Sequence, residues 1–205
     1  MECFSKFATS GTEQPAINNT QTSKIDFFLM LTLAVVFFYA FPLVPSSAGF
    51  INFRQIPFLK IFLITLVWSL TTVILPVINI QHEVITKEVM LIFIKRLIFI
   101  FAITLPFDIR DMSYDSAAGI KTIPLWLGIK NTKTLAVILL ADFVGILIYQ
   151  YIFLTVNEKI FVPLFISVLI SSCVILSTNE KRSEYFFLFL VDGMLVLQFL
   201  LLQIF

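Results

Sequence analysis

A chain of 205 residues with 59% hydrophobic and only 13% charged side chains cannot clothe a water-facing surface. A soluble domain averages about a quarter charged residues and under half apolar ones, so lipid is the expected solvent for most of this chain. The formal net charge of +1 points to no acidic partner, and no nucleic acid is expected to bind. The two cysteines, Cys3 and Cys173, lie far apart and read as unpaired.

Taken in order, residues 1–24 form a polar stretch rich in Thr, Asn, Ser and Gln, without the apolar centre of a signal peptide, and read as a disordered tail. Residues 25–205 read as a single transmembrane helical domain. A helix needs roughly 20 residues to cross the hydrocarbon core. Six segments meet that requirement: Ile25–Val44, Ile61–Ile80, Val89–Phe107, Thr134–Val156, Ile160–Leu176 and Tyr185–Phe205. Each must be helical, because unpaired backbone groups are too costly in lipid. The expected fold is therefore all-α, a multi-spanning bundle of about six transmembrane helices.

Lys and Arg counts set the orientation. With six crossings, one side carries Lys6, Lys24, Lys87, Lys95, Arg96 and Lys159. The other carries Arg54, Lys60, Arg110, Lys121, Lys130, Lys133, Lys181 and Arg182. The second side is the richer, and is expected to face the cytoplasm at the cell (inner) membrane.

That side also holds the densest chemistry in the chain, from Pro106 to Pro124. Three of the six aspartates, Asp108, Asp111 and Asp115, fall there at i, i+3 and i+7. On a helix this spacing stacks all three carboxylates on one face. Like charges so placed are tolerable in water or around a cation, and hard oxygen ligands suit Mg²⁺. A solvated acidic helix end is the plainer reading, but the flanking apolar segments and the nearby Arg110 and Lys121 argue against it.

Asp108-x-x-Asp111-x-x-x-Asp115 followed by Gly119-x-Lys121-Thr122-x-Pro124 resembles the second aspartate-rich motif of the UbiA family of membrane prenyltransferases. In that family the motif lies on a loop at the membrane surface and binds, through Mg²⁺, the diphosphate of an isoprenoid donor. The resemblance implies that Asp108, Asp111 and Asp115 hold Mg²⁺ and are catalytic. Lys121, Arg110, Lys60 and Arg54 would bind the phosphates. The substrates implied are a prenyl diphosphate and an aromatic or other lipophilic acceptor. Three apolar segments precede the motif and three follow it, so the chain looks like helices four to nine of the family's nine. The stretch from Tyr39 to Pro45, with Arg54 and Lys60 beyond it, lies where the family places a Tyr followed by a basic residue.

The family's first motif, Asn-x-x-x-Asp-x-x-x-Asp, is missing: Asp26 is the only aspartate before Asp108. One motif supplies half of the oxygen ligands. Three readings stay open: a truncated product, a degenerate relative that binds without turnover, or a site completed by a second chain. A CDP-alcohol phosphotransferase also uses spaced aspartates, but its Asp-Gly-x-x-Ala-Arg pattern is absent.

Four further ionisable residues lie within apolar segments: Lys95, Arg96, Asp142 and Asp192. Such groups face a bundle interior. Pairing of Lys95 or Arg96 with Asp142 or Asp192 is one expectation, and snorkelling of the basic chains to the near interface is the other. Gln198 and Gln203 are candidates for polar contacts between helices. The lone His82 reads as a surface loop residue. Most of the 24 phenylalanines read as packing and lipid contacts, some lining an isoprenoid tunnel.

Overall fold

The computed structural model describes residues 30, 33, 42–46, 49–52, 58–80, 86–154 and 156–205. The expected tail, most of the first apolar segment, Tyr39, Arg54 and His82 lie outside the described residues. The last residues of that first segment do not extend a helix. Pro42–Ser46 (β1) pairs antiparallel with Gly49–Asn52 (β2) in a short ribbon. Pro42 and Pro45 explain the change, since proline lacks the N–H that a helix interior needs but is tolerated at a strand edge.

The remaining described residues are mainly helical. Helix α1 (Leu59–Ser69) continues through a π-helical turn (Leu70–Ile74) into α2 (Leu75–Ile80). Then follow α3 (Lys87–Arg110), the short α4 (Met112–Ala117) and α5 (Ile123–Leu127), α6 (Ile129–Phe153) and α7 (Glu158–Leu176). A second π-helical stretch, Phe186–Val191, leads into α8 (Gly193–Ile204). Among the described residues five helical runs are long and apolar enough to cross a bilayer, beginning at Leu59, Lys87, Ile129, Glu158 and Phe186. The protein is an integral membrane helix bundle.

Local chemistry fixes the ends. Thr86 caps α3 by accepting the Val89 N–H at 3.3 Å, and Asn157 caps α7 by accepting that of Lys159 at 3.1 Å. Gly119 (φ +68°) and Gly128 (φ +80°) make the turns after α4 and before α6. Both need backbone conformations that side chains disfavour. Lys133 Nζ donates to the Leu176 carbonyl at 3.0 Å, tying α6 to the carbonyl end of α7.

Helix α3 is the centre. Of its most apolar stretch 44% is buried, against 22% to 33% for the other four spans. It packs on α1, α6 and the second π stretch, while α7 bridges α6 and α8. Phe99, Leu105, Leu140, Leu147 and Phe187 are fully enclosed between these helices. Large side chains such as Trp126, Phe153, Leu169 and Phe199 point outward, as a lipid solvent allows.

The expected acid–base pairing inside the membrane is not made. Arg96 donates from Nε to Thr72 Oγ1 at 3.2 Å and from Nη1 to Gln198 Oε1 at 2.7 Å. Lys95 is buried with its Nζ 5.6 Å from the centre of the Phe143 ring. Asp142 lies on the exposed side of α6. Neutral partners and a ring face thus replace the counter-charges that the sequence suggested.

Candidate functional site

The aspartate motif is helical rather than a loop. Asp108 sits in the last turn of α3, Asp111 is the junction residue, and Asp115 lies on α4. The junction (φ −85°, ψ 2°) interrupts the helix, yet the Asp111 N–H still reaches the Phe107 carbonyl at 3.0 Å and the Asp115 N–H the Asp111 carbonyl at 2.9 Å, and Asp108 lines a cavity with each of the other two acids. Asp108 and Asp115 are both 5% exposed, whereas a quarter or more of the Asp111 side chain is open.

Acids at the carboxyl end of a helix oppose its dipole and need cations beside them. The antiparallel packing of α1 against α3 supplies one. Lys60, in the first turn of α1, places Nζ 3.5 Å from Asp108 Oδ1 and 3.7 Å from Asp111 Oδ2. Arg110 supplies the second. Its Nε donates to Asp111 Oδ1 at 2.7 Å and its Nη2 to Oδ2 at 3.3 Å. The guanidinium is also stacked, 5.3 Å from the Phe107 ring centre and 5.5 Å from that of Phe187. Fork-like bonding and aromatic stacking suit Arg better than Lys at this position.

These ion pairs rim a cavity of ≈ 280 Å³. Lys60, Asp108, Arg110 and Asp111 form its mouth. Ile64, Trp68, Ile100, Ile103, Phe107 and Leu195 form apolar walls below, with Asp192 part-way down. Asp192 closes the π stretch, its N–H bonding to the Phe187 carbonyl, five residues back, at 3.1 Å, and it is an exposed member of the cavity lining. An adjoining recess of ≈ 10 Å³ is lined by Lys60, Asp108, Asp115, Lys121 and Thr122. That is about the room of one water molecule. The buried Thr122 Oγ1 has no protein partner there.

The structure thus brings Asp108, Asp111, Lys60 and Arg110 to one mouth. It places Asp115 and Lys121 in the recess next door. Asp192, Trp68 and Thr122 are site residues that the sequence did not single out as such. An acid inside an apolar segment was the available signal for Asp192, and Thr122 belongs to the quoted Gly-x-Lys-Thr-x-Pro tail.

Among the described residues no three His, Cys, Asp or Glu side chains are grouped to hold a metal ion. A pair is available. Asp108 and Asp111 approach a single ammonium from two sides, and Mg²⁺ is commonly held by one or two carboxylates with substrate phosphates and water completing the shell. The donor set therefore fits a magnesium–phosphate complex better than a bare ion. Comparison with protein-family models, curated proteins and solved structures returns no match for this chain.

Proposed function

We propose that this protein binds a prenyl diphosphate and acts as a UbiA-like membrane prenyltransferase, passing the prenyl group to an aromatic or other lipophilic acceptor. One observation carries the reading. A mouth of paired charges opens onto an apolar cleft of the membrane bundle, half-open along Trp68, which suits a ligand with a charged head and a hydrocarbon tail.

The charges of the site support a metal-accompanied head group. Lys60, Arg110 and Lys121 stand against Asp108, Asp111, Asp115 and Asp192, so three formal positive charges face four negative ones. A diphosphate needs further positive charge to enter. Mg²⁺, held by Asp108 and Asp111, would supply that charge and stabilise the departing diphosphate. Lys60, freed from its two acids, would turn to the phosphate oxygens, with Arg110 and Lys121 at the flanks. The bond between the allylic carbon and its oxygen breaks, and the electron pair leaves with the diphosphate. The acceptor's π electrons attack the allylic cation, and a proton is then lost from the acceptor. Phe107, Trp68 and the isoleucines keep water from the cation.

The richer cluster of basic residues supports a cytoplasmic mouth. Lys60, Arg110, Lys121, Lys130, Lys133, Lys181 and Arg182 lie at the cavity end of the described bundle, with Lys87 and Lys159 at the other.

The test is transfer of a labelled prenyl group in membranes containing the protein and Mg²⁺. Asp108→Ala and Asp111→Ala are each expected to lower the rate by about 10²-fold or more. Activity indifferent to both changes overturns the assignment. A second reading, binding without turnover, is favoured by the acids already being satisfied by Lys60 and Arg110. It predicts magnesium-dependent binding of the prenyl diphosphate and no product, with or without a second chain present.

A further inference from the structure

We propose that Arg96, Thr72 and Gln198 form a polar floor that limits the length of isoprenoid chain the cavity accepts, an inference that rests on the prenyl-diphosphate reading above.

Three helices agree on where the cleft stops. The deepest wall residues are Trp68 on α1, Ile100 on α3 and Leu195 on α8. One helical turn further from the mouth stand Thr72, Arg96 and Gln198 respectively. These three are joined to one another by the two Arg96 hydrogen bonds, at 3.2 Å to Thr72 and 2.7 Å to Gln198. Thr72 in turn donates to the Trp68 carbonyl at 2.7 Å, fastening the floor to the wall above it. Among the described residues no acid forms an ion pair with Arg96, so its charge rests on those neutral partners.

A hydrocarbon chain lying along α1, α3 and α8 from the mouth meets this cluster at the far end of the cleft. To pass, it must strip hydrogen bonds from a guanidinium held within the bundle, and nothing on an isoprenoid replaces them. The mouth and the floor are set apart by the same run of residues on both inner helices, Lys60 to Thr72 and Asp108 to Arg96. At 1.5 Å per residue that run spans about 18 Å. The cavity is therefore matched to a short prenyl chain of the geranyl or farnesyl class and not to a long polyprenyl tail.

The experiment uses the full chain in nanodiscs with Mg²⁺ and labelled geranyl diphosphate, displaced by unlabelled prenyl diphosphates of increasing length. Geranyl and farnesyl diphosphates are expected to displace the label, and a long polyprenyl diphosphate to do so about tenfold less well or worse, as an overfilled cavity does. Arg96→Leu combined with Gln198→Leu should erase that difference while leaving geranyl affinity unchanged. Leu195→Phe raises the floor and should penalise farnesyl diphosphate more than geranyl diphosphate. The wild-type series and Leu195→Phe decide the matter even where the double variant fails to fold. Equal binding of long and short chains by the wild type, or a length limit that Leu195→Phe does not move, overturns the floor alone. Absence of binding by every prenyl diphosphate overturns the functional reading and the floor with it.

Discussion

Lys60 Nζ lies 3.5 Å from Asp108 Oδ1 and joins the first turn of α1 to the last turn of α3. Asp108 is almost wholly enclosed, whereas about a quarter of the Lys60 side chain is open. The lysine is the nearest basic group to a carboxylate that has little access to water.

Removing that cation should be felt as stability. Lys60→Met leaves Asp108 without its nearest basic group and is expected to cost about 1–3 kcal/mol, the low end of a broken buried pair because the site is partly open. Adding Asp108→Asn should restore part of the loss. Unfolding midpoints of the two single variants and the double variant check this, and strictly additive losses would show that the pair is not coupled.

Ligand should raise stability by mass action. A prenyl diphosphate with Mg²⁺ at a hundred times its dissociation constant is expected to add about 2.7 kcal/mol. Inorganic diphosphate with Mg²⁺ should give a smaller shift, since it lacks the tail that fills the walls. Melting curves with each, and with chelator added, measure both. An equal shift from the two ligands would mean that the apolar cleft takes no part.

Inner and outer leucines should differ sharply. Leu140 is fully buried between α6 and α3, and Leu140→Ala is expected to cost about 2 kcal/mol through lost packing. Leu169 is 52% exposed, and Leu169→Ala should cost less than about 0.5 kcal/mol because lipid replaces what is removed. Denaturation in mixed micelles compares the two.

Two glycines should respond with opposite sign. Gly128 holds φ +80° at the entrance to α6, and Gly128→Ala forces that strained conformation on a side chain, for about 1–2 kcal/mol of destabilisation. Gly145 is within α6, and an added Cβ meets nothing within 4 Å. Gly145→Ala should stabilise by about 0.5–1 kcal/mol. Helical content followed against temperature checks both.

Hydropathy and length were enough to find the described spans, since the expected Ile61–Ile80 and Ile160–Leu176 meet helical runs starting at Leu59 and Glu158. The error was largest where polar residues form a helix end. Helix α6 starts at Ile129, not Thr134, because Lys130, Asn131 and Lys133 complete its first turns outside the apolar stretch. The motif acids were legible as residues but not as an arrangement. Their spacing implied a single cluster, and Asp108 is shared between two adjoining cavities, with Asp111 in the larger and Asp115 in the recess. Lys60 was legible only as a weak candidate, because its meeting with Asp108 depends on how α1 packs. The partners of Arg96 were missed because opposite charge was the obvious signal, and two neutral side chains answered instead.

The π turn at Leu70–Ile74 fits one more residue into its loop than an α turn would, with the Leu75 N–H reaching back to the Leu70 carbonyl. Each residue of an α-helix advances the chain by about 100° around its axis. Deleting Val73 would turn that five-residue reach into the ordinary four and leave the turns on either side facing nearly as they do now. A one-residue loss from Leu59–Ser69 would instead swing everything beyond it by roughly that angle, so this rod tolerates shortening at one place and not at its neighbours.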